Sequence, residues 1–231
     1  MEAEAAVERL RALAEPGAVA SMAHLGINTE HALGVRVPRL RELAREIGTD
    51  HDLALALWES GIHEARILAS MVADPARVDG ALMEAWAADF NSWDLVDQCC
   101  ANLFWKAGPA WEKALEWSAR EEDFPKRAGF VLMASLALHD KGAGDGAFEP
   151  FLPAIERDAG EHRERVRKGV SWALRQIGKR SRGLNERALE VAASLQDQIN
   201  QPKEAHRLGH EAEVELRSEL VQGRLGGDGP A

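Results

Sequence analysis

The chain contains no tyrosine, two cysteines and six phenylalanines among its 231 residues. Its cysteines, Cys99 and Cys100, are adjacent. Neighbouring residues rarely close a structural disulfide, and two thiols without help are too few for a zinc site. They read as reduced core thiols. Val, Ile and Thr are sparse while Ala, Leu, Glu and Arg dominate, which disfavours sheet. No apolar run approaches the roughly 18 residues of a membrane span before a charge interrupts it. The acidic, amphipathic start "MEAEAAVERL" lacks the basic opening and apolar centre of a signal peptide, so the cytoplasm is the expected location. His63-Glu64 has no second histidine at ligand spacing on its helix, and the remaining histidines do not group, so no metal is expected. No phosphate loop, nucleophile elbow or paired-carboxylate glycosidase motif is present. Basic residues are also in deficit: the formal net charge is -10. That excludes a protein that coats nucleic acid non-specifically but leaves room for a local basic groove.

What is there is helix. Segment after segment shows apolar residues at helical spacing, and breakers such as Gly26, Gly48-Thr49-Asp50, Ser60-Gly61, Gly108-Pro109 and the "KGAGDG" stretch separate them. Asp50, Ser92 and Asn185 stand where N-caps are wanted. A rhythm of two helices per ~35–45 residues predicts a HEAT-like helical repeat solenoid, with a compact helical bundle as the alternative. Residues 1–222 read as a single α-helical repeat domain, and "GRLGGDGPA" from Gly223 as a disordered tail.

Three helices carry candidate chemistry. In "SWDLVDQCCANLF", Leu95, Cys99 and Leu103 form one apolar row and Val96, Cys100 and Phe104 the next. Trp93 and Asp97, at i and i+4, share one edge of that face, where they suit either a site or a packed start with a solvated acid. In "FPKRAGFVLMASLALHDK", Arg127 lies on the apolar line of Phe130, Val131, Ala134 and Leu138. A guanidinium there needs a carboxylate or an incoming anion, unless it snorkels from the helix start. From Glu161 to Arg187 there are nine Lys or Arg and three Glu, a local excess of positive charge in an acidic chain. On that helix Val166, Val170, Ala173, Leu174 and Ile177 gather on one side. Lys168, Trp172, Arg175 and Lys179 gather on the other, a footprint for phosphates with an aromatic set among cations unless a neighbouring helix covers the indole.

Together these residues resemble the AlkD-type DNA alkylation repair family, the HEAT-like-repeat DNA glycosylases. The similarity spans roughly Gly34 to Gln196. It is carried by "GVRVPRLRELAREI", "WESGIHEARILA", "SWDLVD", "KRAGFVLMA" and "VRKGVSWALRQIGKR" in that order. The resemblance implies an all-α HEAT-like solenoid with a concave basic groove. It implies hydrolysis of the N-glycosidic bond of cationic N3- or N7-alkylated purines in duplex DNA, without base flipping. Asp97, Trp93 and Trp172 take the catalytic roles under it. Arg127 takes a phosphate beside the lesion, and Lys168, Arg175 and Lys179 the general grip on DNA. No cofactor, metal or membrane is implied; a monomer, cytoplasmic and on the nucleoid when bound to DNA, is expected. The same scaffold also suits a non-catalytic module for distorted or branched DNA, or a protein-binding scaffold.

Overall fold

A computed structural model describes residues 2–197 and 202–226 of the chain. Among the described residues the secondary structure is fourteen α-helices and three short 3₁₀ turns. They fall into two compact units, Met1–Ala110 and Trp111–Ala231.

The first unit holds α1 (Ala3–Ala12), α2 (Pro16–His24), α3 (Val37–Ile47), α4 (His51–Glu59), α5 (His63–Val72), α6 (Gly80–Ala88) and α7 (Trp93–Asn102). Within it α5 packs on α4, its predecessor, and on both α3 and α7, its next-but-one neighbours. The core is aromatic: Trp58 of α4 stacks on Trp86 of α6 with ring centres 4.0 Å apart and planes 4° from parallel. Such stacking adds about 0.5–1.5 kcal/mol to the burial of both rings. The Trp58 indole N–H is not stranded, because it donates to Asp89 Oδ2 at 2.8 Å. Both cysteines are free and buried, as expected of core thiols.

α8 (Ala110–Ser118) crosses the boundary, and the second unit continues with α9 (Asp123–His139), α10 (Phe151–Asp158), α11 (Glu164–Gly178), α12 (Arg182–Asp197), α13 (Lys203–Leu216) and α14 (Glu219–Gly226). The neighbour pattern repeats. α11 packs on α10 and α12 next to it in sequence, and on α9 and α13 one step further away. Contacts to the next and next-but-one helix are what stacked helical repeats make. α9 is buried on every side from Pro125 to Ala137, as an interior helix must be. Its Gly129 permits this. A Cβ there would come within 2.3 Å of the Ser118 backbone nitrogen, so only glycine lets α9 lie against the end of α8.

Three terminal expectations meet different outcomes. Asp50 caps α4, its carboxylate accepting from Leu53 N–H at 3.0 Å. Asn185 is not a cap. α12 starts earlier, with Ser181 Oγ accepting from Leu184 N–H at 3.0 Å, and Asn185 is buried inside it, donating to Gly178 O at 2.9 Å. The segment from Gly223, expected as a disordered tail, is helical as far as Gly226. Val221 is buried there, and the Gln222 amide donates to Leu216 O at 2.6 Å. Residues 227–231 of that tail lie outside the described residues.

Candidate functional site

α7 carries the first two candidates. Its inward rows Leu95, Val96, Cys99 and Cys100 are buried, which turns Trp93 and Asp97 to a half-buried edge one turn apart. The Trp93 ring is held from outside its helix: Nε1 donates to Leu25 O at 3.0 Å, just past the end of α2. The same connecting segment grips the residue before it, Asn28 N–H donating to Ser92 Oγ at 3.4 Å.

Behind this edge lies a cluster that the helical spacing does not disclose. His63, at the start of α5, places Nε2 2.9 Å from Asp94 Oδ2. The other carboxylate oxygen of Asp94 accepts from the Ser92 hydroxyl. Burial works hardest against the charged imidazole, but the hydrogen bond and charge of Asp94, helped by Glu64, outweigh it and raise the His63 pKa above its ordinary value. Burial likewise opposes the Asp94 carboxylate, yet His63, Ser92 and the Leu95 N–H together hold its pKa below the usual value. Ser92 therefore spends its hydroxyl on Asp94 rather than on the helix backbone. This is not a nucleophile-base arrangement, since the acid rather than the imidazole stands next to the hydroxyl. It pins the first turn of α7, and with it Trp93 and Asp97.

Glu64, one residue on, is 1% exposed, and its carboxylate accepts three backbone N–H groups: Leu33 at 2.8 Å, Gly34 at 2.7 Å and Val35 at 3.2 Å. Gly34 is needed there twice over, by its φ of +80° and because a Cβ would lie 2.3 Å from Glu15 O. His63 and Glu64, considered above only as metal ligands, thus belong to the polar framework of the first unit. The only sequence signal for them was a carboxylate and a histidine at the start of a helix that is otherwise apolar apart from Arg66 and Ser70.

The second unit holds the remaining candidates. Arg127 is 6% exposed, and its guanidinium donates to the Arg165 carbonyl in the first turn of α11. Gly169 of α11 lies against it, a Cβ there falling in ordinary contact with Arg127 Cγ at 3.7 Å. The residue beside it, Lys126, is also buried and sits 2.7 Å from Asp158 Oδ1 at the end of α10. Arg163 bridges Glu161 at 2.6 Å and Asp123 at 2.7 Å. The hydrogen bonds from Arg163 hold the Glu161 carboxyl at about 2. This charge network joins the starts of α9 and α11 to the end of α10.

α11 divides as its spacing predicts. Val166, Val170, Ala173, Leu174 and Ile177 are fully buried. Trp172 is half-buried on the opposite face, in register with Lys168, Arg175 and Lys179. The cations are not bare. Lys168 pairs with Glu164 at 2.8 Å, and Arg175 and Lys179 both reach Glu215 of α13, the former at 2.5 Å. The structure thus brings together Trp93 with Asp97 on α7, Arg127 with the start of α11, and Trp172 with Lys168, Arg175 and Lys179 on α11. Among the described residues no group of three or more metal-binding side chains forms, and no helix is long and apolar enough to cross a membrane.

Helices that pack on both their next and next-but-one neighbours, in each unit, define an all-α protein of HEAT-like repeats. The chain belongs to the DNA alkylation repair enzyme family, whose family model matches residues 6–208. The fold is shared with a solved structure described as belonging to a new family of proteins related to the HEAT-like repeat DNA glycosylases with affinity for branched DNA structures. That structure matches with a TM-score of 0.80 at 20% identity, over 98% of this chain and 97% of the other. A structure of an engineered protein matches at a TM-score of 0.37 and 13% identity, over 78% of this chain and 43% of the other, too slight a similarity to argue from. No curated protein matches the sequence.

Proposed function

We propose that this protein is a monofunctional DNA glycosylase that hydrolyses the N-glycosidic bond of cationic N3- and N7-alkylated purines in duplex DNA, without flipping the base. The observation that supports it most is the pairing, one helical turn apart on the half-buried edge of α7, of the Trp93 indole and the Asp97 carboxylate. The chain that carries them belongs to the DNA alkylation repair enzyme family.

The chemistry suits these groups. An alkylated purine that already bears a positive charge leaves with the electrons of its bond to C1′ as a neutral base, so no acid need protonate it. Positive charge then grows on the deoxyribose. Indole faces stabilise such charge through their quadrupole, and a carboxylate does so directly. In this reading Trp93 and Trp172 supply the rings, and Asp97 both stabilises the sugar and takes the proton of the water that adds to C1′. Lys168, Arg175 and Lys179 hold phosphates, and Arg127, which donates to the Arg165 carbonyl in the unliganded chain, is the group this reading assigns to the phosphate beside the lesion. The reading needs no cofactor and has the protein act as a cytoplasmic monomer on the nucleoid.

The test is release of methylated purine from an alkylated duplex, followed by chromatography of the free base. Wild type is expected to release it, and Asp97→Asn to do so at least about a hundredfold more slowly. No release by wild type ends the enzymatic reading; equal release by Asp97→Asn ends the mechanism. A second reading, a non-catalytic binder of branched DNA, is favoured by the described affinity of the structurally similar family. It predicts tighter binding of a four-way junction than of a linear duplex, with no base released from either.

A further inference from the structure

The cationic face of α11 comes with an acid already seated on it. Glu215 of α13 offers its two carboxylate oxygens to two different cations, Oε2 to Arg175 Nη1 at 2.5 Å and Oε1 to the Lys179 ammonium. The Arg175 guanidinium is itself fixed, its Nε donating to Ser171 O at 3.1 Å. Lys179 stands at the C-terminal cap of α11. All three side chains are a quarter to a third exposed, so water and ions reach them. Burial disfavours the Glu215 charge, but Lys179 and Arg175 outweigh it and hold the carboxyl below its ordinary pKa. It is an anion at neutral pH.

A carboxylate held by a guanidinium and an ammonium presents its two oxygens as a phosphodiester presents its two non-bridging oxygens. We infer that Glu215 occupies the place of a DNA backbone phosphate between Arg175 and Lys179, and so sets how strongly this face holds nucleic acid. The inference rests on the DNA-binding part of the reading above, not on its catalytic part. Two cations share one acid there, so the pair contributes one net positive charge instead of two. A phosphate that enters must displace the carboxylate, which swings aside on a flexible side chain. The arrangement also fits the acidic balance of the chain: a face whose grip is weakened by its own acids does not stay on undamaged duplex. The competing account is a staple between α11 and α13 that stays closed whatever binds.

The two accounts separate on undamaged duplex, where no chemistry occurs. Binding of an end-labelled double-stranded oligonucleotide is measured for wild type and Glu215→Gln across a range of salt concentrations. Unfolding midpoints of both are recorded alongside. Our inference expects Glu215→Gln to bind about three- to tenfold more tightly near 0.1 M salt, with a log–log salt slope steeper by about 0.9, one counterion more. It also expects Arg175→Gln to weaken binding more in the Glu215→Gln background than in wild type, because the acid no longer screens that arginine. Wild-type binding that Glu215→Gln leaves unchanged or weakens, at equal folded fraction, overturns the inference and leaves the DNA reading standing. Absence of duplex binding by both proteins at low salt overturns the DNA reading itself, and this inference with it.

Discussion

His63 Nε2 and Asp94 Oδ2 lie 2.9 Å apart, across 31 residues of chain, with the imidazole 4% exposed and the carboxylate 18%. Each group favours the charged form of the other against the cost of burial, and both sit at helix starts. Glu64 and Arg66 act on the imidazole from its own helix, while Ser92 and the Leu95 N–H act on the carboxylate from α7.

This pair gives the protein a pH signature. The raised His63 pKa contributes stability that is complete below the ordinary histidine value of 6.5 and is lost as pH rises through the folded value. The lowered Asp94 pKa contributes stability that is complete above 3.8 and is lost as pH falls through the folded value. The contribution is therefore largest between those two ordinary values and declines on either side. His63→Gln is expected to lose about 2–4 kcal/mol at pH 6, because it leaves the buried carboxylate without its charged partner. Chemical unfolding of both proteins at pH 6 and pH 8.5 measures it. A gap between them that does not shrink at the higher pH would sink this account.

Glu64 makes a different kind of prediction. Its carboxylate satisfies three backbone N–H groups of the 33–35 segment in the interior. Glu64→Ala leaves them without acceptors and is expected to cost about 3 kcal/mol or more in a urea titration, with faster amide exchange at Gly34 and Val35. If Leu33–Val35 stay protected from exchange in the variant, another acceptor holds them.

Arg127 is open to a test without DNA. Its guanidinium donates to the Arg165 carbonyl, so Arg127→Met should lower the unfolding free energy by about 1–3 kcal/mol, the stem being retained and the donor lost. Thermal unfolding of the unliganded proteins reads this directly. An unchanged midpoint would mean that Arg127 serves only an external anion.

The two faces of α7 and of α11 were legible in the sequence because a helix wheel depends only on residues within a few positions of each other. Leu95 and Cys99 inward with Trp93 and Asp97 at the edge, or Val170 and Leu174 inward with Trp172 outward, follow from 3.6 residues per turn. Polar partners across helices do not. His63 meets Asp94 over 31 residues, Arg127 meets the Arg165 carbonyl over 38, and Arg175 meets Glu215 over 40. These separations are about one helical pair, the rhythm the breakers had already suggested, yet the rhythm does not say which side chain faces which. Asn185 shows the limit at close range. It has the chemistry of a cap, but the interior needed its amide for Gly178, and Ser181 capped the helix instead.

The amino-acid pattern alone determined an all-helical chain, its repeat length and the residues at the edges of α7 and α11, because these depend on local periodicity. Only the packed structure decided that Arg127 is turned to the backbone of α11, that His63 and Ser92 hold Asp94, and that Glu215 shares two of the expected phosphate-binding cations. Charges choose partners by proximity in space, and proximity is fixed by how helices one repeat apart are stacked.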